Sequence, residues 1–213
     1  MKSTFKKIFL LTIRTFVSIL FVFRPVFKFL PVLGSFIISE WYKKKLKSCG
    51  KNSFIGKNLD VFGGKRITIG NNTTINNNSS ITAWETYFDQ KFEPSITIGD
   101  NCSIGEGAHI TAINSIKIGN GVLFGKNVLV SDNSHGDNMY TQPDIRPQLR
   151  TLYSKAPVII EDNVWVGQNV CILPGVVIGR NSIVGANSVV NSNVPENTIV
   201  AGIPAKIIKK MNQ

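Results

Sequence analysis

Residues 157–190 read PVIIEDNVWVGQNVCILPGVVIGRNSIVGANSVV, and an aliphatic side chain recurs here at every sixth position. These positions are Ile160, Val166, Ile172, Ile178, Val184 and Val190, and four residues after each comes a small or short apolar residue (Val164, Val170, Val176, Ser182, Ser188, Val194). A period of six does not fit an α-helix, because its 3.6-residue turn would spread these side chains around the whole circumference. It fits a parallel β-helix, in which each hexapeptide forms one flat side of a prism. The stretch therefore predicts a mainly β solenoid with the aliphatic and small residues along its axis.

The pattern extends over residues 51–204, enough for about six to seven coils. At nine positions the inward apolar residue of a hexad is followed by glycine, as at Ile104-Gly105, and we expect this glycine to accept the backbone conformation of the corner. Asparagines in pairs such as Asn71-Asn72 tolerate left-handed turns and suit the corners. The hexads are interrupted at 82–95 and 132–157, and such insertions are loops that project from one face, often the binding face. For residues 205–213 we predict a short helical cap on the last coil.

The net charge of +11 is concentrated near the N-terminus. Residues 1–51 contain eleven of the 24 Lys and Arg but one of the 13 Asp and Glu, so they carry +10 and the remainder +1. The solenoid therefore has no basic stripe to match phosphates, which argues against nucleic-acid binding. An anionic membrane surface is the better match for the basic segment. The three cysteines show no paired spacing, so they predict neither a disulfide framework nor zinc, in keeping with a reducing compartment. Cys102 falls at an inward position, where a buried thiol is expected.

Residues 1–50 are predicted to be a helical segment that seeks a membrane or caps the solenoid. The mostly apolar run 8–23 contains Arg14, and as a helix it would reach about 24 Å, less than the ~30 Å of a bilayer core. Six basic residues fall on about a third of a helical wheel (Lys2, Lys6, Lys7, Arg14, Arg24, Lys28). Three interpretations stay open: in-plane attachment of residues 1–48 at the inner face of the cytoplasmic membrane, a cap or trimer-packing segment, or a membrane span or signal peptide. No A-x-A-like cleavage site follows the apolar run.

Two histidines are the candidates for acid–base chemistry. An imidazole titrates near neutral pH, at about 6.5, so it can take a proton from a hydroxyl. His135 lies where the hexads give way to the second insertion, and Asp132, three residues earlier, could orient its ring. The alternative is that His135 is a polar corner residue. His109 follows the inward Ala108, which predicts a place on the outer surface and favours an ordinary surface residue.

The second half of the chain resembles the hexapeptide-repeat O-acetyltransferases. The resemblance is carried by residues 160–167, 172–176 and 183–190 and by the closing Val200-Ala201-Gly202-Ile203-Pro204-Ala205-Lys206. It is strongest with the maltose and galactoside acetyltransferase-like branch, which includes enzymes that acetylate lipopolysaccharide and capsule sugars. It implies a homotrimer of left-handed β-helices with acetyl-CoA bound between neighbouring prisms, and no metal. It also implies that His135 is the general base in direct transfer of the acetyl group to a hydroxyl.

The resemblance implies further site residues. Trp165 matches the tryptophan beside the thioester arm, and packing of this ring between prisms is compatible with the same role. Gly167, Gly185 and Ala186 match places where the pantetheine passes, and Lys206 and Lys209 match residues that meet the nucleotide phosphates, unless they only form a solvated basic C-terminus.

The hexad at Ile104-Gly105 lacks the acceptor-pocket asparagine of relatives that use small sugars, and the loop after His135 is longer. We therefore expect a sugar in a surface polysaccharide or its lipid-linked precursor. N-acetylation of an amino-sugar or antibiotic-type acceptor and a non-enzymatic scaffold are the alternatives. A carbonic-anhydrase-like zinc site would need three histidines, and the chain has two.

Overall fold

The computed structural model describes residues 9–18, 24–137 and 142–211. The predicted positions of Lys2, Lys6 and Lys7 and parts of the apolar run lie outside these residues. The chain divides after Ile37 into two units. The first contains a helix over residues 9–18 (α1), and a second helix, α2, runs over Arg24–Lys43 and extends into the second unit. Neither helix, as far as it is described, is long and apolar enough to span a membrane.

The second unit is a parallel β-helix with three sheets, and each coil contributes one short strand to every sheet. Sheet A contains β1 (Ser48–Cys49), β4 (Ile67–Ile69), β9 (Ser95–Ile98), β12 (Ser115–Ile118), β17 (Val158–Ile160) and β20 (Val177–Ile178). Sheet B contains β2 (Phe54–Ile55), β5 (Thr74–Ile75), β10 (Ser103–Ile104), β13 (Leu123–Phe124), β18 (Trp165–Val166), β21 (Ile183–Val184), β23 (Thr198–Ala201) and β24 (Lys206–Lys210). Sheet C contains β3 (Asp60–Phe62), β6 (Ser80–Ala83), β11 (His109–Ala112), β14 (Leu129–Ser131), β19 (Cys171–Ile172) and β22 (Val189–Val190). Six full coils and a partial seventh result, and the predicted left-handed β-helix is confirmed.

The prism axis is filled as the six-residue period predicts. Ile160, Val166, Ile172, Ile178 and Val184 are completely buried, and so are the inward serines at 182 and 188. Each buried aliphatic side chain contributes about 1.5–3 kcal/mol relative to exposure. The hydroxyl of each inward serine donates to a backbone carbonyl, so these polar groups are buried without loss of hydrogen bonding.

Asparagine forms the corners, as predicted. Among the residues that the structure describes, eleven asparagines have positive φ, and three of them, Asn163, Asn181 and Asn197, follow one another along a corner. Their amides form a ladder, since Asn163 donates to Asn181 at 3.3 Å and Asn181 to Asn197 at 3.0 Å. The asparagine side chain therefore both tolerates the left-handed conformation and joins successive coils.

The glycines after the inward aliphatics have a different role from the predicted one. None of the nine has positive φ. A Cβ at Gly99 would instead lie 2.6 Å from the Gly119 carbonyl oxygen, and one at Gly105 would overlap the Gly125 carbonyl oxygen. The close stacking of neighbouring coils excludes a side chain at these positions, so the corner conformation does not explain them.

At both interruptions of the hexads the chain makes an excursion from the prism, and each excursion contains an antiparallel hairpin. The first excursion contains β7 (Thr86–Tyr87) and β8 (Gln90–Lys91). The second contains β15 (Ser134–His135), a 3-10 turn (Pro147–Leu149) and β16 (Leu152–Tyr153). A further 3-10 turn, Gly64–Arg66, follows β3.

The two ends of the solenoid differ from expectation. At the N-terminal end the boundary lies at Ile37 rather than residue 50, because the Ser39 hydroxyl accepts the Ile55 N–H at 2.8 Å and Leu46 is part of the core. At the other end the predicted C-terminal helix is wrong. Lys206–Lys210 is a strand that pairs antiparallel with β23, because the last coil leaves an open sheet edge whose backbone groups need partners.

Candidate active site

His135 lies where the chain leaves the prism after β14. It pairs with Leu152 across the β15–β16 hairpin, and its side chain is exposed at the edge of a cleft of about 420 Å³. The hairpin thus holds the imidazole against the solenoid with its ring accessible to solvent.

The floor of this cleft is the outer surface of sheet C. Asp60, Ser80 and His109 are register partners on successive strands, and so are Thr82 and Thr111. All five line the cleft with His135. The floor of the cleft therefore presents hydroxyls, a carboxylate and a second imidazole. His109 is on the surface, as predicted, but sequence reasoning missed that it shares a cleft with His135.

Asp132 does not make the expected contact with the histidine ring. Its side chain is completely buried, and its two carboxylate oxygens accept the backbone N–H groups of Ile113 and Asn114, each at 2.9 Å. The Asn133 amide is its third partner, at 3.1 Å. The bonds to Ile113 and Asn114 join Asp132 to the neighbouring coil. The carboxylate therefore stabilises the corner at which the chain leaves the prism before His135.

The two excursions meet at His135, although they are about 50 residues apart in sequence. The Tyr87 hydroxyl donates to the Gln148 carbonyl at 2.5 Å, and its oxygen lies 3.4 Å from Nδ1 of His135. The Gln90 side chain accepts the Leu152 N–H at 2.7 Å and donates to the Leu152 carbonyl at 3.2 Å. The first excursion therefore fixes β16, whose Leu152 pairs with His135.

One member of an aromatic pair lines the cleft. Trp84 lines the cleft and packs on Phe62 with ring centroids 4.4 Å apart. Its indole N–H donates to the Thr82 hydroxyl at 3.2 Å, which fixes the ring orientation. A fixed indole beside hydroxyl side chains offers an apolar surface with polar groups at its border.

A second cleft, of about 540 Å³, lies on sheet B and unites four of the predicted cofactor-binding residues. Trp165, Gly167, Gly185 and Ala186 all line it. Trp165 is 51% exposed because it lies at the outward position of β18, next to the buried Val166, and its register partner Ile183 occupies the matching position of β21. The small residues leave a groove along the strands beside this ring.

The two lysines predicted to meet the nucleotide phosphates, Lys206 and Lys209, are not among the residues that line this groove. Lys206 lines another cavity, with Asn193. Lys209 shares a register row with Trp165 through Ile183 and Ile199. Three strand spacings separate the ends of this row, about 14 Å.

The groove itself contains a different lysine, Lys126. Its ammonium lies 3.0 Å from Glu106, and this hydrogen-bonded contact lowers the pKa of the Glu106 carboxyl below its usual value. The sequence signal that could have indicated a lysine in this groove is the place of Lys126 directly after the Phe124-Gly125 pair of its hexad.

The cysteines and acidic residues offer no further reactive cluster. Burial raises the pKa of the Cys102 thiol above its usual value, and the thiol donates to the Gly119 carbonyl at 3.1 Å. Within residues 9–18, 24–137 and 142–211, no three His, Cys, Asp or Glu side chains are grouped so that they could hold a metal ion.

The chain is similar to proteins of known families. Residues 48–83 match the hexapeptide repeat of succinyl-transferase, and residues 157–192 match the bacterial transferase hexapeptide (six repeats). A galactoside O-acetyltransferase of Lactococcus lactis is 32% identical over 174 residues, which cover 81% of this chain and 67% of that protein. The chain belongs to the hexapeptide-repeat acetyltransferase family. The predicted resemblance is thereby confirmed.

Two other members of the hexapeptide-repeat acetyltransferase family illustrate the extent of the similarity. The Escherichia coli protein WbbJ, named as a lipopolysaccharide biosynthesis O-acetyl transferase, is 46% identical over 121 residues. These residues cover 55% of this chain, which spans 61% of WbbJ. The hexapeptide-repeat acetyltransferase VCA0836 of Vibrio cholerae, solved in complex with acetyl coenzyme A, is 31% identical, with a TM-score of 0.51. That match covers 81% of this chain and 75% of the solved one.

Proposed function

We propose that this protein transfers an acetyl group from acetyl-CoA to a sugar hydroxyl in a surface polysaccharide or its lipid-linked precursor. The observation that carries the proposal is the exposed His135 imidazole in a hydroxyl-lined cleft, in a chain of an acetyltransferase family. Binding of acetyl coenzyme A by VCA0836 and the names of WbbJ and the galactoside O-acetyltransferase support the donor and the acceptor class.

In this mechanism His135 acts as the general base. One ring nitrogen accepts the proton of the acceptor hydroxyl while the oxygen attacks the thioester carbonyl. The tetrahedral intermediate then collapses, the C–S bond breaks, and the leaving sulfur takes the proton from the imidazolium. Base catalysis of this kind contributes about 10²–10⁴-fold, and the rest comes from positioning and stabilisation of the oxyanion.

The acceptor sugar lies in the His135 cleft. A pyranose has an apolar ring face bordered by hydroxyls, and the cleft offers the Trp84 ring beside Ser80, Thr82 and Thr111. An aromatic face can cover the sugar ring while the hydroxyl side chains exchange hydrogen bonds with its edge. Such a cleft, open to solvent, accommodates one residue of a longer glycan.

The donor lies in the Trp165 groove of a neighbouring subunit in a homotrimer. Within one chain the His135 cleft and the Trp165 groove share no lining residue and lie on different sheets, C and B. A base in one cleft serves a thioester in the other only if a second subunit brings them together. A closed three-fold arrangement repeats this pairing at every interface.

The activity is tested by incubating the protein with acetyl-CoA and lipid-linked glycan intermediates. We expect release of CoA thiol and an acetyl group on the glycan that mild alkali removes, as it does an ester. An alkali-stable acetyl group would be an amide and would establish the N-acetyltransferase alternative. Absence of acetyl transfer across neutral and amino-sugar glycans would refute the proposed activity.

The shared site is tested by subunit complementation. Ala186 is exposed, so Ala186→Trp can fill the groove without disturbing the core. We expect this variant and His135→Ala to be inactive separately and to recover activity when trimers are assembled from equal amounts of both. Random assembly leaves about a quarter of the sites with an intact groove and an intact histidine.

Thr97→Trp, at an exposed position on sheet A, is the control for added bulk. We expect it to bind acetyl-CoA as the wild type does. Mixed trimers that stay inactive, although each variant is folded and assembles, would show that the site lies within one chain.

The N-terminal segment attaches the protein to an anionic membrane surface. Along α1 the apolar side chains are exposed (Phe9, Leu10, Leu11, Ile13, Phe16, Val17). The hydroxyls of Thr15 and Ser18 donate to backbone carbonyls four residues earlier, which reduces the polarity of the helix surface. Residues 1–51 carry a net charge of +10, which complements anionic headgroups and favours a helix in the interface.

We expect the triple variant Phe9→Ser, Leu11→Ser, Phe16→Ser to bind phosphatidylserine-containing vesicles at least about tenfold more weakly, because three apolar side chains leave the interface. Co-sedimentation of the full-length protein measures this. The control is Phe88→Ser, which removes an exposed apolar side chain from the first excursion. Equal sedimentation of triple variant and wild type would contradict the membrane assignment of α1.

A further inference from the structure

We propose that Tyr87 is a positioning residue that holds the His135 ring in one tautomer, with the proton on Nδ1 and the lone pair on Nε2. The use of Nε2 as the base rests on the proposed function. The tautomer itself follows from hydrogen-bond chemistry alone.

The Tyr87 hydroxyl has one proton, and the structure shows where it goes. The hydroxyl oxygen lies 2.5 Å from the Gln148 carbonyl oxygen, which can only accept. The phenolic proton is therefore used in this bond. Toward Nδ1 of His135, 3.4 Å away, the same oxygen can offer only a lone pair. The imidazole must then supply the proton, so the bond requires Nδ1–H and leaves Nε2 unprotonated.

The phenol is held firmly enough to impose this choice. Tyr87 belongs to β7, and Gln90 of the same hairpin makes two hydrogen bonds to the backbone of Leu152. Leu152 in turn pairs with His135. The Tyr87 and His135 rings meet edge to face with centroids 5.5 Å apart. The β7–β8 and β15–β16 hairpins are therefore linked to each other, and together they hold both Tyr87 and His135 in place.

The hydrogen bond between His135 and Tyr87 becomes stronger as the reaction proceeds. When Nε2 takes the acceptor proton, the ring becomes an imidazolium, and the hydrogen bond from Nδ1–H to the phenol oxygen becomes charge-assisted. Tyr87 then favours the protonated state as well as the reactive tautomer. The Gln148 carbonyl contributes by orienting the phenol and does not itself move a proton.

The tautomer can be measured by ¹⁵N NMR of the full-length protein labelled at histidine. The chain has two histidines, and His109→Gln assigns their signals. At a pH about two units above 6.5, where imidazoles are neutral, we expect the wild-type His135 signals to show a protonated Nδ1 and a bare Nε2. In Tyr87→Phe we expect both tautomers or the Nε2–H form.

Kinetics supply the second measurement. Tyr87→Phe keeps the ring and removes the acceptor, so we expect kcat to fall about tenfold, the equivalent of one hydrogen bond, with KM for acetyl-CoA unchanged. Tyr153→Phe removes an exposed phenol from the β15–β16 hairpin, which carries His135, and is the matched control.

Wild-type signals with the proton on Nε2 would overturn the proposal, and so would identical His135 signals in the wild type and Tyr87→Phe. A fall in kcat equally large for Tyr153→Phe would assign the effect to the hairpin and refute a specific role of Tyr87. If His135→Ala stays active while the wild-type ring is protonated at Nδ1, the base assignment fails and the tautomer stands.

Discussion

His135→Ala is expected to lower kcat for acetyl transfer at least about a hundredfold, because the acceptor hydroxyl loses the group that takes its proton. Acetyl-CoA binding should persist, since the Trp165 groove contains no part of the histidine cleft. Turnover measured with the glycan acceptor, together with calorimetric titration of CoA, separates the two effects. Near-normal turnover would exclude His135 as the base.

His109→Ala is the matched control, because this second imidazole lies on the floor of the same cleft. We expect its effect to fall on KM for the acceptor, with kcat reduced less than about tenfold. The reverse result, a large loss of kcat in His109→Ala and a small one in His135→Ala, would transfer the role of base to His109.

Gly105→Ala is expected to destabilise the fold by about 3 kcal/mol or more, although alanine is among the mildest substitutions elsewhere. Gly105 has an ordinary φ, but a Cβ there would overlap the Gly125 carbonyl oxygen of the next coil. The backbone cannot move aside without breaking the hydrogen bonds between the coils. Thermal unfolding should show a midpoint lower by roughly 6 °C or more, from about 2–4 °C per kcal/mol in chains of this size.

Gly121→Asn is the matched control, because it changes a glycine of the opposite kind. Gly121 has a φ of 66°, and its Cβ would meet the flexible end of the Asn163 side chain. Asparagine already occupies this corner at Asn101 and Asn163. We expect a change of less than about 1 kcal/mol. If Gly105→Ala is neutral and Gly121→Asn is severe, corner conformation and not stacking distance explains the repeated glycine.

The fold was predictable from residues 157–190 because a period of six has one structural solution. The hexads place Ile160, Val166 and Ile172 on the axis, and the structure buries all three. The same count placed Cys102 inward and His109 outward, as found. The family followed from the closing residues of the chain, and four of the six predicted cofactor-binding residues lie together in one groove.

Other features could not be predicted because they depend on groups that are distant in sequence. Asp132 was expected beside His135 on spacing alone, but spacing does not say which backbone N–H groups a buried carboxylate will meet. The C-terminal lysines and isoleucines were expected to form a helix, whereas the open edge at β23 makes them a strand. Local pattern is overridden in each case by a hydrogen-bonding demand from another coil.

The sequence by itself determined the coil, its inward and outward faces, and the two places where the chain leaves the prism. These three features follow from the six-residue spacing of apolar side chains, which can be recognised within a short stretch of sequence. Only the tertiary structure decided that the two excursions meet, so that Tyr87 of the first contacts His135 of the second and Gln90 bonds the backbone of Leu152, which pairs with His135. The reason is physical: the solenoid stacks coils that are some twenty to forty residues apart, and irregular loops carry no period from which their contacts can be counted.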